Sequence, residues 1–291
     1  PKGLTRYHFW DKLISSRPAA IEHIRGTEEA WKMFGIKTDE RKPLSGIISK
    51  LESMERPEIL LDISEDKIKE MGFEYLISDK KWEDAKLDEL DAWDYIFHHV
   101  TRISDTRDSI KAEQLVKLFE QGKRILAFSQ DIISLHYFLL KLSDEDVNIA
   151  SKDDDPVVFD SSVEKTDAEE MFGLDTDHTT PLIGLFSNRF SEGVNLQSAS
   201  TLVHLDTPTT VTVAEQRCGR VDRFNALHKK IEFYWPRDEG VLGEEITNKL
   251  RERNEFVEQT IGAQMKLPDD QQQEMLEEEY IDDDSESYEL L

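Results

Sequence analysis

From about residue 110 the chain repeats one device, a short apolar run followed by an amphipathic stretch. KRILAF (123–128) has the composition of a buried strand, and in the following SQDIISLHYFLLKL the residues Ile132, Leu135, Leu139 and Leu142 recur at helical spacing. PVVF (156–159), PLIGLF (181–186), STLVHL (200–205) and KKIEFYW (229–235) are further strand candidates. KTDAEEMF (165–172), TVAEQRCGRVDRF (212–224) and a long segment at about 244–264 carry the helical period between and after them. Strands that alternate with helices form βαβ units, so the pattern predicts an α/β fold: a doubly wound parallel sheet with helices on both faces. Residues 1–109 read differently. WDKLISSRPAAIEHI, GTEEAWKMFG and KKWEDAKLDELDAWDYIFHHV are helical in period, with no strand run between them. The expected organisation is a mostly helical accessory region (1–107), a sheet domain (108–266) and an acidic tail (267–291).

Charge narrows the function less than it first suggests. The 291 residues carry 62 Asp and Glu against 36 Lys and Arg, a formal net charge of -26. Phosphate binding requires positive surface, but a net charge is a sum over all surfaces. Much of the negative charge lies in SDEDVNIASKDDD (143–155) and in the tail EMLEEEYIDDDSESYELL (274–291), which lacks a sustained apolar pattern and reads as disordered. A single cysteine, Cys218, cannot form an internal disulfide. No stretch approaches the roughly 18 apolar residues of a membrane span, and no charged-then-apolar leader opens the chain. The expectation is a cytoplasmic protein without a membrane partner. The start at Pro1 rather than methionine is expected of a fragment or a processed chain.

Against that acidity, VAEQRCGRVDRFN (213–225) gathers three arginines within seven positions. On a continuous helix Gln216, Arg220 and Arg223 stand at i, i+4 and i+7 and share a face, with Arg217 pointing elsewhere. Gly219 costs such a helix about 1 kcal/mol relative to alanine. Parallel guanidinium groups suit phosphate oxygens, being planar, bidentate and always charged. A solvated basic helix face is the competing reading, and this segment alone leaves both open. The stretch before it runs from a strand into a loop rich in hydroxyl and amide groups: Ser187, Asn188, Ser191, Asn195, Gln197 and Ser198. Loops at the carboxyl ends of parallel strands are where open α/β sheets bind ligands.

Together these segments resemble a known family. S-E-G-V-N-L-Q-x-A-S-x-L-V-x-x-D, followed about ten residues later by E-Q-R-x-G-R-x-D-R, is similar to motifs V and VI of superfamily 2 helicases, in the flavour of Swi/Snf-type and RapA-like DNA translocases. ILAFSQ (125–130) resembles the motif IV strand, and FDSSVEKTDAEEMF (159–172) the strand–turn–helix that usually reads D-G-S-x-x-x-x-x-R. LISSRPAAIEHI is weakly similar to the helical segment that precedes this domain in RapA-like proteins. The resemblance covers about residues 108–264 and implies a RecA-like fold, the second of two such domains in an ATP-driven motor. It implies that Arg220 and Arg223 are arginine fingers and that Gln216 lines the ATP cleft. Gly193, Asn195 and the neighbouring Glu192 would belong to the nucleotide side. Ser129, Gln130, Ser187 and Ser191 would meet the nucleic-acid backbone. Two positions depart from the pattern. Ser161 stands where glycine is usual and no helix arginine follows it, while Ser187-Asn188-Arg189-Phe190 replaces T-D-A-A.

The parts of a motor that hold ATP are not in this sequence. A P-loop reads G-x-x-x-x-G-K-[ST], but Gly122-Lys123 is followed by Arg124 and has Lys117 where the first glycine belongs. Asp88-Glu89-Leu90-Asp91 imitates a D-E-x-D box without the preceding buried strand, and reads as a polar helix face. His98, His99 and His204 lack partners at metal spacing, so no metal site is expected. ATP with Mg2+ would be held mainly by an N-terminal RecA-like domain, in the same polypeptide or a separate subunit. The nucleic acid expected is double-stranded DNA, by family flavour, with nucleoid association if the source is bacterial. Two other functions stay open: a RecA-like module that binds or regulates without catalysis, and an acidic regulator whose tail competes with DNA.

Overall fold

The computed structural model describes residues 2–37, 43–58, 64–208, 210–222 and 227–236. Arg223, the 244–264 segment and the acidic tail lie outside the described residues. The chain divides into two compact units, Pro1–Ser109 with Asp131–Lys141, and Ile110–Gln130 with Leu142–Leu291.

The first unit is helical: α1 (Lys2–Ser15), α2 (Arg17–Arg25), α3 (Thr27–Met33), α4 (Ile47–Glu52), α5 (Glu65–Glu70) and α6 (Asp79–Val100). Two further helices reach across the division in sequence, α7 (Thr106–Glu120) and α8 (Ile132–Ser143). The run WDKLISSRPAAIEHI is broken at Ser16, whose hydroxyl caps α2 by accepting from the Ala19 amide, with proline in the first turn where its missing N–H costs nothing. Phe9, Ala20, Ile21, Ile24, Trp31, Trp93 and Tyr137 share one core. Tyr137 and Lys141 of α8 both donate to Asp105, and Ser134 meets the hydroxyls of Ser15 and Ser16 at 3.0 and 2.7 Å. Asp88, Glu89 and Asp91 lie on an exposed face of α6, as the polar-face reading expects.

The second unit is the α/β domain. A five-stranded sheet has the order β4-β5-β1-β6-β7, with β1 Arg124–Ser129, β4 Val158–Phe159, β5 Leu182–Ser187, β6 Thr201–His204 and β7 Glu232–Tyr234. Each neighbouring pair is parallel. Every residue of β1 is buried, the signature of a central strand covered on both faces. The chain leaves β1 outward to β4, returns through β5 and crosses to β6 and β7. With right-handed crossovers that reversal distributes the connections over both faces, the doubly wound arrangement. Helices α9 (Lys165–Phe172) and α10 (Val211–Cys218) precede β5 and β7.

Five phenylalanines (128, 159, 172, 186 and 190) dominate the core, with Phe159 stacked on Phe186 at 4.4 Å. Gly184 lets β5 pass beneath them. A Cβ there would run into the Phe186 ring and lie 2.8 Å from Phe172.

Two local expectations are corrected. The acidic loop contains a small hairpin, β2 (Ser151–Lys152) with β3 (Asp155–Pro156), turned by Asp153 and Asp154 at φ 53° and 69°, so PVVF supplies only two residues to the main sheet. The helix read over 212–224 stops at Cys218. Gly219 is its C-cap and Arg220 follows on a turn, so Gln216 and Arg220 do not share a helix face.

Candidate functional site

The register of the sheet assembles the site. Ser129 pairs with Ser187, and Phe128 with His204, so the carboxyl ends of β5, β1 and β6 finish side by side. The Leu205 amide donates to the Phe128 carbonyl at 2.9 Å, which carries the row one residue further, to Asp206. Three segments far apart in sequence therefore meet at one edge: Ser129-Gln130, Ser187-Asn188 and His204–Asp206.

A buried cation holds this edge together. Arg217 of α10 has no exposed surface. Its Nε and Nη2 donate to the Asn188 Oδ1 at 3.1 and 2.6 Å, and Nη1 donates to the His204 Nδ1 at 2.9 Å. Asp206 Oδ1 lies 3.4 Å from Nη2, a buried ion pair. The other carboxylate oxygen accepts from the Ser129 hydroxyl at 2.6 Å and the Gln130 amide at 2.7 Å. Burial pulls the Arg217 pKa below its ordinary value, and Asp206 opposes that pull. Burial, with Arg217 second, holds His204 well below its usual range, so the ring is neutral. Because arginine only donates, Nδ1 is the acceptor and the proton sits on Nε2. The ring lies 4.3 Å from Trp235.

The loop after β5 forms the second part. A 3-10 turn covers Asn188–Ser191, and Gly193 follows at φ 72°, a left-handed conformation that suits glycine. Gln216 donates its side-chain amide to the Glu192 carboxylate at 2.6 Å. Arg220 donates Nε to the Gln216 carbonyl and Nη1 to the Val194 carbonyl, both at 3.1 Å, while its own carbonyl accepts from the Leu196 amide. The Asn195 amide donates to Glu169 of α9 at 2.8 Å, and Lys165 donates to the Glu192 carbonyl at 2.6 Å.

The structure thus brings Gln216, Arg220, Glu192, Gly193 and Asn195 into one cluster, although Arg220 arrives from a turn and not from a helix face. Ser129 is buried and turned to Asp206; Gln130 is half-buried and held there by its backbone. Ser187 is largely buried, and Ser191 donates to the Asn188 carbonyl. The unusual Arg189-Phe190 pair is structural: Arg189 donates to the Asp160 and Val163 carbonyls, and Phe190 joins the aromatic core.

The buried network that joins Arg217 to Asp206, Asn188 and His204 escaped the reading of the sequence. An arginine one residue from Gln216 is expected at the surface. The available signal was an aspartate closing a strand buried at every position, since buried charges come in pairs. Among the described residues no three His, Cys, Asp or Glu side chains group as a metal ion requires. No described helix is long and apolar enough to cross a membrane.

Residues 110–225 match the family model of the helicase conserved C-terminal domain. In solved structures the chain is similar to the C-terminal part of the Fun30 ATPase domain, at 15% identity and TM-score 0.41, over 97% of this chain and 92% of that one. It is also similar to S. cerevisiae Dbp5 bound to RNA and ADP BeF3, at 14% identity and TM-score 0.38, covering 59% of this chain and 40% of that one. No curated protein sequence matches the chain.

Proposed function

We propose that this chain is the C-terminal half of a nucleic-acid-dependent ATPase, a DNA translocase or helicase of Swi/Snf or RapA-like flavour. It would lend Arg220 and Arg223 as arginine fingers to an ATP site shared with an N-terminal RecA-like domain. The observation that carries this reading is the joining of Gln216 and Arg220 to the Glu192–Val194 loop at the carboxyl edge of a RecA-like sheet. That loop and the turn after α10 form one clustered polar surface, the place where an α/β sheet takes a phosphate ligand.

ATP with Mg2+ fits this donor set only in part. Arg220 and Gln216 offer N–H donors of the kind a terminal phosphate accepts, while the sequence offers no P-loop to cradle the rest. The nucleotide supplies the phosphoryl group and the metal its charge neutralisation. The contribution of this chain would be a fixed guanidinium facing the phosphoryl oxygens, worth about 10³–10⁵ in rate. The two carbonyl acceptors fix the plane of Arg220, so little reorganisation remains when a phosphate arrives. Ser187, Ser191 and the Gln130 segment, one strand away, would be the side facing the polynucleotide, with duplex DNA the expected form.

The test is ATP hydrolysis by the protein together with its N-terminal RecA-like domain, with duplex and single-stranded DNA and with RNA. Arg220→Ala should lower kcat at least 10³-fold while leaving the circular dichroism spectrum unchanged. A folded Arg220→Ala variant with unaltered turnover would reject the finger and favour the non-catalytic binding module.

A further inference from the structure

The cations around the candidate site are not equivalent. Arg217 spends its guanidinium on Asn188, His204 and Asp206 and has no exposed surface. Arg189 is committed to the Asp160 and Val163 carbonyls. Arg220 is held on the Gln216 and Val194 carbonyls. The fourth is Lys165, the first residue of α9, half-buried, with its ammonium 2.6 Å from the Glu192 carbonyl. An ammonium has three N–H donors, and among the described residues that one neutral acceptor leaves two for a ligand.

The backbone accommodates this lysine. A Cβ on Gly193 would lie 2.8 Å from the Lys165 Nζ, so glycine there both permits φ 72° and clears space for the ammonium. Lys165 and Arg220 thus grip carbonyls two residues apart, 192 and 194, on either side of a residue with no side chain. The nearby carboxylates are already engaged. Glu192 accepts from Gln216, Glu169 from the Asn195 amide, and Asp167 from Lys152. Glu164, just before Lys165, is exposed.

We infer that Lys165 is a phosphate-binding residue that, with Arg220, flanks Gly193 to form a two-cation anion site. The proposal rests on the function argued above. The ligand chemistry is a phosphate oxygen, which either a nucleotide or a polynucleotide backbone could supply. Lysine serves as a compact point charge and arginine as a planar fork, a pairing suited to one tetrahedral oxyanion.

The experiment compares wild type with Lys165→Gln and Lys165→Arg in two arms. The first measures binding of a fluorescent 20-base-pair DNA duplex between 50 and 200 mM salt. If the phosphate is the backbone's, Lys165→Gln reduces the slope of log K against log salt by about 0.9, and Lys165→Arg restores it. The second measures ATP hydrolysis together with the N-terminal RecA-like domain. If the phosphate is the nucleotide's, Lys165→Gln leaves the salt slope alone but lowers kcat/KM about 10²-fold, with recovery in Lys165→Arg. Lys165→Gln matching wild type in both arms, or Lys165→Arg being as impaired as Lys165→Gln, overturns the inference. If Arg220→Ala still abolishes turnover in that case, the functional reading survives its loss. Wild type inert in both arms overturns both.

Discussion

Asp206→Asn is the sharpest probe of how this domain is held together. The wild-type carboxylate is 1% exposed and accepts from four donors on two segments: Ser129 and the Gln130 amide at the end of β1, and two nitrogens of Arg217 in α10. An amide offers one oxygen and turns an NH2 toward donors that need an acceptor. It also leaves Arg217 charged, wholly buried and without a counter-ion. Removing one partner of a buried pair costs about 3–5 kcal/mol. The lower end is expected, because Arg217 keeps Asn188 and the His204 Nδ1 as acceptors. For a unit of this size that is a fall of about 6–20 °C in Tm. Hydrogen exchange at the amides of β1 and β6 isolates this unit from the helical one, since both strands lie inside the sheet. Adding Arg217→Met should recover part of the loss, because it removes the uncompensated charge. A loss below about 1 kcal/mol in Asp206→Asn, or no coupling between the two changes, would show that the pair does not hold the edge together.

Three more outcomes are expected. Gly184→Ala should destabilise the sheet unit by about 1–3 kcal/mol, read by urea unfolding, because its Cβ meets the Phe186 and Phe172 rings. Burial pushes the Cys218 thiol up to about 12, so at pH 8 only about one thiol in 10⁴ is ionised. A disulfide reagent should then label the native protein at the rate of local opening and the urea-unfolded protein at once. Burial lowers His23 from 6.5 to about 4. The unfolded chain therefore binds the proton first, and stability that is complete above pH 6.5 declines toward pH 4. His23→Phe should flatten that decline in acid titrations followed by tryptophan fluorescence.

How far the sequence carries depends on the range of the interactions involved. KRILAF, PLIGLF and STLVHL could be read as strands because a strand covered on both faces is a continuous apolar run. KTDAEEMF coincides with α9 residue for residue. The motif letters around Glu192–Asn195 and Gln216–Arg220 fall on the loop after β5 and on the end of α10, two segments that hydrogen bonds join. The end of α10 could not be read in the same way. Helical periodicity continues through Gly219 in the letters, and what ends the helix is the turn that takes the Arg220 guanidinium back to the Val194 carbonyl, 26 residues earlier.

The sequence by itself determined the class of fold, the helical character of the first hundred residues and the segments that carry the helicase resemblance. Periodicity and composition are local properties, and each acts through neighbours within a turn or two of chain. Only the tertiary structure decided which arginine is interior and which is near the loop. Arg217 and Arg220 differ by three positions in a polar segment. One is buried because Asp206, Asn188 and His204 arrive from β5 and β6 to solvate its charge, a set of acceptors that exists only once the strands lie side by side.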